Sequence, residues 1–114
     1  MIKEMQAVTK MHDVIKWLMP RVEDFKRSFK FTLGDRIIDL SLDVLMLLVA
    51  AQYTRKKLDL LSEANMKLEQ LRHLLRLCKE MELLSIRRYE YISREINEVG
   101  KYIGGWVKQQ QKRG

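Results

Sequence analysis

Residues 57–82, KLDLLSEANMKLEQLRHLLRLCKEME, place apolar side chains at Leu61, Ala64, Leu68, Leu71, Leu75 and Cys78, in steps of three and four. That spacing turns them onto one face of an α-helix and excludes a strand, whose faces alternate at every second residue. A second row, Leu74, Leu77, Met81 and Leu84, lies beside the first. A helix with such a stripe gains most of its stability by burying it against other elements. The rest of the chain supplies them.

The same period recurs three more times. Val8, Met11, Ile15, Leu18, Val22 and Phe25 form the first stripe, and the register runs unbroken across Pro20, which predicts a bend there and not an end. Thr32, with Asp35 three residues on, reads as a capping-box-like start for a second helix through Leu33, Ile37, Leu40, Val44, Leu47 and Ala51. Ile38, Leu42, Leu45, Met46, Leu48 and Val49 fill its other faces, so this helix needs cover on more than one side. Association of copies is therefore expected, with Leu42, Met46 and Val49 of the second helix and Leu74, Leu77 and Met81 of the third at the interface. Ser85 is a good N-cap for a fourth helix carrying Tyr89, Ile92, Ile96, Val99, Ile103 and Trp106. Gly100 and Gly104 on that helix would let a neighbouring backbone come close.

Connections near residues 28–31, 53–56 and 83–85 are short, and short links between long helices make consecutive helices antiparallel. The expected fold is all-α: one four-helix-bundle domain over residues 1–114, up-down-up-down. Its helices are expected at about residues 6–27, 32–53, 57–82 and 85–109, with a frayed tail at 110–114. Composition agrees. The 114 residues, 13.7 kDa, are 46% hydrophobic with one Pro and five Gly, too few turn residues for a β-sandwich or barrel. The single Cys78 reads as a small core residue, and one Cys with two His cannot build a structural zinc site. No metal or other cofactor is expected. Residues 1–10 mix charges of both signs without an apolar targeting segment, and the longest uncharged apolar run, residues 44–51, is far below the roughly 20 residues of a membrane span. A cytoplasmic protein without a membrane partner is expected.

Catalytic constellations are missing from the pattern: there is no Gly-rich phosphate loop, no G-x-S-x-G and no C-x-x-C. The E-x-x-H of di-iron bundles is not met, because Glu69 and His73 are four apart, and His12 cannot face the adjacent Asp13. An enzyme is not expected. The basic residues do have geometry. The net charge is +7, and the excess lies in residues 55–114, where fourteen Lys and Arg meet eight Asp and Glu. Arg87, Arg94, Lys101 and Lys108 recur every seven residues along one edge of the fourth helix, and Arg72, Arg76 and Lys79 cluster on one face of the third. Arg55, Lys56 and Lys57 stand at a helix start, where positive charge opposes the macrodipole. The bland reading is a solvated surface, with Glu90 and Glu98 neutralising Arg94, and Glu80 and Glu82 flanking Lys79. Taken as a set, the stripes point to a polyanion, nucleic acid before membrane, held through its phosphates with little sequence preference. Tyr89 and Trp106 belong to the core register, which leaves Tyr91 as the side chain able to stack on a base.

Residues 31–37, FTLGDRI, following WLMPR at 17–21, resemble the accessory variability determinant (Avd) family of diversity-generating retroelements. So do LEQLR at 68–72 and IGGW at 103–106, and the resemblance runs from about residue 11 to 110. The wider superfamily comprises four-helix-bundle proteins encoded in intervening sequences of bacterial large-subunit ribosomal RNA genes. The resemblance implies a homopentameric barrel that catalyses nothing itself. Such a barrel binds a reverse transcriptase, binds nucleic acid (template RNA, or its hybrid with cDNA) through a basic surface, and supports error-prone copying into a target gene. Five copies would also multiply the +7 charge and cover the apolar second helix. Arg72 and Arg76 fall in a matching segment and become the first choice for nucleic-acid contact; Pro20 and Gly34 become architectural. The alternative role for the same fold is an intervening-sequence-type bundle that contacts ribosomal RNA or serves only as a structural oligomer.

Overall fold

The computed structural model describes the backbone of residues 2–113 and the side chains of residues 4–112. Four long helices, α1 (Ile2–Glu23), α3 (Asp35–Gln52), α4 (Leu58–Glu80) and α5 (Ile86–Arg113), are joined by short connections. The first connection contains a single turn, α2 (Arg27–Phe29), and a π-helical segment, Lys30–Gly34. No strand occurs among the described residues. Helix α1 packs on α3 and α5, and α4 packs on the same two, which gives a four-cornered bundle of 47 × 23 × 19 Å.

The core is built from the stripes. Met11, Leu18, Ile37, Leu48, Leu61, Leu68, Leu71, Ile92, Ile96, Ile103 and Trp106 are buried, and each such side chain contributes about 1.5–3 kcal/mol. Ser41 is the buried polar residue of α3, and its hydroxyl donates to the Ile37 carbonyl at 2.7 Å. Ion pairs that cross between long helices include Lys10 of α1 with Glu95 of α5, and Lys67 of α4 with Asp43 of α3, each at 3.0 Å. The hydrogen bond to Glu95 raises the Lys10 pKa above its ordinary value.

Helix ends depart from the expected ones in several places. Helix α1 runs three residues past Pro20 and stops at Glu23, where Asp24 and Phe25 amides bond back to the Arg21 and Val22 carbonyls. Thr32 does not cap α3. The chain is already helical from Arg27, so the amides beyond Thr32 have carbonyl partners, and its hydroxyl donates backward to Ser28 and Phe29 at 3.0 and 3.3 Å. Ser85 does cap α5, its Oγ accepting from the Arg88 amide at 3.1 Å. Helix α5 continues through the expected tail to Arg113, carried by a run of Lys, Gln and Arg, all good helix formers; Gly114 lies outside the described residues.

Helix α4 ends in a Schellman motif. The Leu83 amide bonds to Cys78 O at 2.8 Å and the Glu82 amide to Lys79 O at 3.0 Å. Glu82 takes φ 62° there, a left-handed conformation that costs a non-glycine residue about 1–2 kcal/mol. The Lys57 ammonium donates to the Ala51 carbonyl in the last turn of α3, so its charge serves the negative end of one helix while standing at the start of the next.

The inward face of α3 is turned from the expected stripe: Leu45 and Leu48, read as surplus, are buried in the core, while Leu40 and Leu47 of the stripe are half-buried. Leu42, Met46 and Val49 share the outward face of α3 with Ile38 and Tyr53; Met46 is 57% and Tyr53 86% exposed. Leu74 instead lies in a groove between α3 and α4 with Leu40 and Met66, while Leu77 and Met81 are exposed on α4. The six side chains expected at one interface thus occupy more than one face of a single chain.

Gly34 is where the first connection closes on α1. A Cβ at this position would stand 2.6 Å from Val22 Cγ1 and 3.8 Å from Phe25 Cδ2, both buried. Gly34→Ala should therefore lower stability by about 1–2 kcal/mol, overpacking outweighing the helix propensity gained. Thermal unfolding checks this: a lowered midpoint is expected, and an unchanged or raised one contradicts the contact.

Candidate nucleic-acid interface

Arg87, Arg94, Lys101 and Lys108 are all exposed on α5, on the side opposite buried Ile92, Ile96, Val99, Ile103 and Trp106. Seven residues fall about 20° short of two full turns, so the four side chains wind slowly around the helix. Among the described residues, Arg87, Arg94 and Lys108 have no carboxylate within 4 Å, and Lys101 reaches Glu98 at 3.7 Å. Glu90 and Glu98 do not neutralise Arg94.

The α4 set differs. Arg72 Nη1 pairs with Glu69 at 2.6 Å, and Arg76 Nε pairs with Glu80 at 3.3 Å. Glu80 therefore serves Arg76 and not Lys79, whose ammonium lies 4.9 Å from the centre of the Tyr89 ring. Exposed pairs of this kind hold little energy, roughly 0–1 kcal/mol, and are readily exchanged for a phosphate.

Arg72, Arg94 and Lys101 come together at an open groove of about 770 Å³ between α4 and α5, with the amides of Asn65 and Asn97 and the carboxylates of Glu95 and Glu98. Gly100 makes room for Arg72. A Cβ there would stand 2.9 Å from Arg72 Nη2 and 3.8 Å from Leu68 Cδ2. What approaches Gly100 is thus side chain and not backbone, and nothing lies within 4 Å of a Cβ at Gly104. Arg72 Nε is buried without a hydrogen-bond partner among the described residues. Arg76 and Lys79 continue along α4 away from this groove, and Arg87 and Lys108 mark the two ends of the α5 stripe.

Several polar and aromatic groups escape sequence reasoning. Asn65 and Asn97 join the groove from two helices with no periodic signal to mark them. Trp17 meets Tyr91 across α1 and α5, and Arg21 lies over the Trp17 ring. Phe31, 57% exposed, has Arg27 and Lys30 over its ring at 5.8 and 5.5 Å.

Among the described residues, no group of three His, Cys, Asp or Glu side chains could hold a metal ion. His73 is exposed with Glu69 3.9 Å away. Cys78 is buried, and burial pushes its thiol up to about 11, so it stays protonated and unreactive near neutrality. No described helix is long and apolar enough to cross a membrane.

Comparison with curated proteins returns no match. A family model described as bAvd-like matches residues 5–110, beginning six residues before the span read from the sequence motifs and ending at the same position. With nearly the whole chain matched and an all-helical bundle in agreement, the protein belongs to the bAvd-like family and is an Avd-type chain.

Proposed function

We propose that this chain is a non-enzymatic accessory subunit of a diversity-generating retroelement. In this reading it binds template RNA, or the RNA–cDNA hybrid, through the α4–α5 surface and associates with the element's reverse transcriptase. The observation that carries the nucleic-acid part is the α5 row. Arg87, Arg94 and Lys108 are exposed cations without carboxylate partners among the described residues, aligned along some 31 Å of helix. Such a row, its members about 10 Å or more apart, can meet phosphates along a strand without reading bases. Family membership supports the association with a reverse transcriptase.

The bundle in this proposal is antiparallel and is one protomer of a closed pentamer. Cross-helix contacts that run in opposite directions support the first point: Lys10 lies by Glu95, and Trp17, further along α1, lies by the earlier residue Tyr91. The outward side of α3 supports the second: Met46 and, just past the helix, Tyr53 are exposed and Leu42 and Val49 only half-buried, so a lone chain leaves much of this face in water.

Two measurements bear on these points. The affinity for RNA should fall steeply with salt, and each phosphate contact removed should flatten the log–log slope by about 0.7 on a single strand. Arg94→Ala with Lys108→Ala should flatten it more than Arg72→Ala with Arg76→Ala, whose charges are shared with Glu69 and Glu80. If neither pair changes the slope, this surface is not the site. In sedimentation at micromolar concentration, a particle of five times 13.7 kDa is expected, moving faster when the reverse transcriptase is added. A stable monomer contradicts the pentamer, and an unaltered boundary contradicts the association.

A further inference from the structure

Trp17 of α1 and Tyr91 of α5 meet with ring centroids 5.4 Å apart and planes inclined at 37°. The Arg21 guanidinium, one turn along α1 from Trp17, lies 4.9 Å from the Trp17 ring centre. Trp17 is half-buried against the core, while its partner ring is not part of it. Tyr91 is 41% exposed and stands outside the stripe formed by Ile92, Ile96 and Val99.

Three arginines surround the rings. Arg87 and Arg94 are one turn before and one turn after Tyr91, which sets both beside it on the α5 surface. Arg21 completes the set from α1, and its Nε is buried without a hydrogen-bond partner among the described residues. None of the three has a carboxylate within 4 Å among those residues. Of the nearby acids, Glu95 pairs with Lys10 at 3.0 Å and Asp13 with Lys16 at 3.5 Å, while exposed Glu90, next to Tyr91, pairs with neither Arg87 nor Arg94.

An open aromatic face beside unneutralised arginines supplies what an unpaired nucleotide needs, a surface for the base and cations for its phosphates. A duplex has no free base face to offer. We infer that the Arg21–Trp17–Tyr91 stack seats an unpaired base of single-stranded RNA. Tyr91 supplies the open ring face, Trp17 and Arg21 back it, and Arg87 and Arg94 hold the adjoining phosphates. The strand then crosses α5 from the α4 side to the α1 side. This inference rests on the nucleic-acid reading above and narrows it to a substrate class, single-stranded and not duplex.

Fluorescence anisotropy of the full chain tests it, using labelled oligouridylate and a duplex RNA with the same number of phosphates. Tyr91→Ala should weaken oligouridylate binding by about 5- to 100-fold, change duplex binding by less than about twofold, and leave both salt slopes as they were. Tyr91→Phe, which keeps the ring, should bind like the unsubstituted protein. Equal weakening on both RNAs, or no weakening on either, overturns the base seat. So does a loss of reverse-transcriptase binding with RNA affinity intact, which would assign the stack to a protein contact. If the unsubstituted chain binds neither RNA in a salt-dependent way, the nucleic-acid reading itself fails.

Discussion

Four amphipathic helices can hide four apolar stripes only by turning them toward a common axis, and that requirement fixes what remains outside. The buried face of α5, from Ile92 to Trp106, leaves Arg87, Arg94, Lys101 and Lys108 no position except the opposite side. The same condition on α4 buries Leu68, Leu71 and Leu75 and turns Arg72 and Lys79 toward the α5 edge, with Arg76 exposed between them. The basic surface is a consequence of core packing, with the heptad register shared between core and charge.

Where a signal repeats, the sequence is informative. The six-fold recurrence of apolar residues in each long helix is enough to identify the elements, because burial of a stripe dominates the energy of each helix; in α3, apolar nearly all round, it does not fix the inward face, and Ser41, Leu45 and Leu48 are buried in place of Leu40 and Leu47. Ends are decided more locally. Thr32 followed by Asp35 looks the same whether the preceding turn is helical or not, and here the chain is helical from Arg27 through the π-helical segment into α3, with Gly34 buried close to Val22 and Phe25. Glu82 in a left-handed conformation has no sequence mark, since glycine is the usual occupant.

The candidate site divides along the same line. A spacing of seven is enough to align the α5 cations. Which carboxylate each cation meets depends on side-chain rotamers, and Glu80 turning to Arg76 in preference to Lys79 is such a choice. The groove at Gly100 and the Trp17–Tyr91 stack join residues distant in sequence, so they become visible only once the helices are assembled. Leu74 shows the limit on the apolar side. It falls in the same register as Leu77 and Met81 but settles between α3 and α4.

The proposed grip on nucleic acid rests on α5 lying at the centre of the bound strand's path. Lysine footprinting by acetylation and mass spectrometry, with and without bound RNA, reads this directly. Lys101 and Lys108 should lose reactivity in the complex while Lys56, exposed in the α3–α4 connection, keeps it. Full reactivity of Lys101 and Lys108 under saturating RNA would contradict the account.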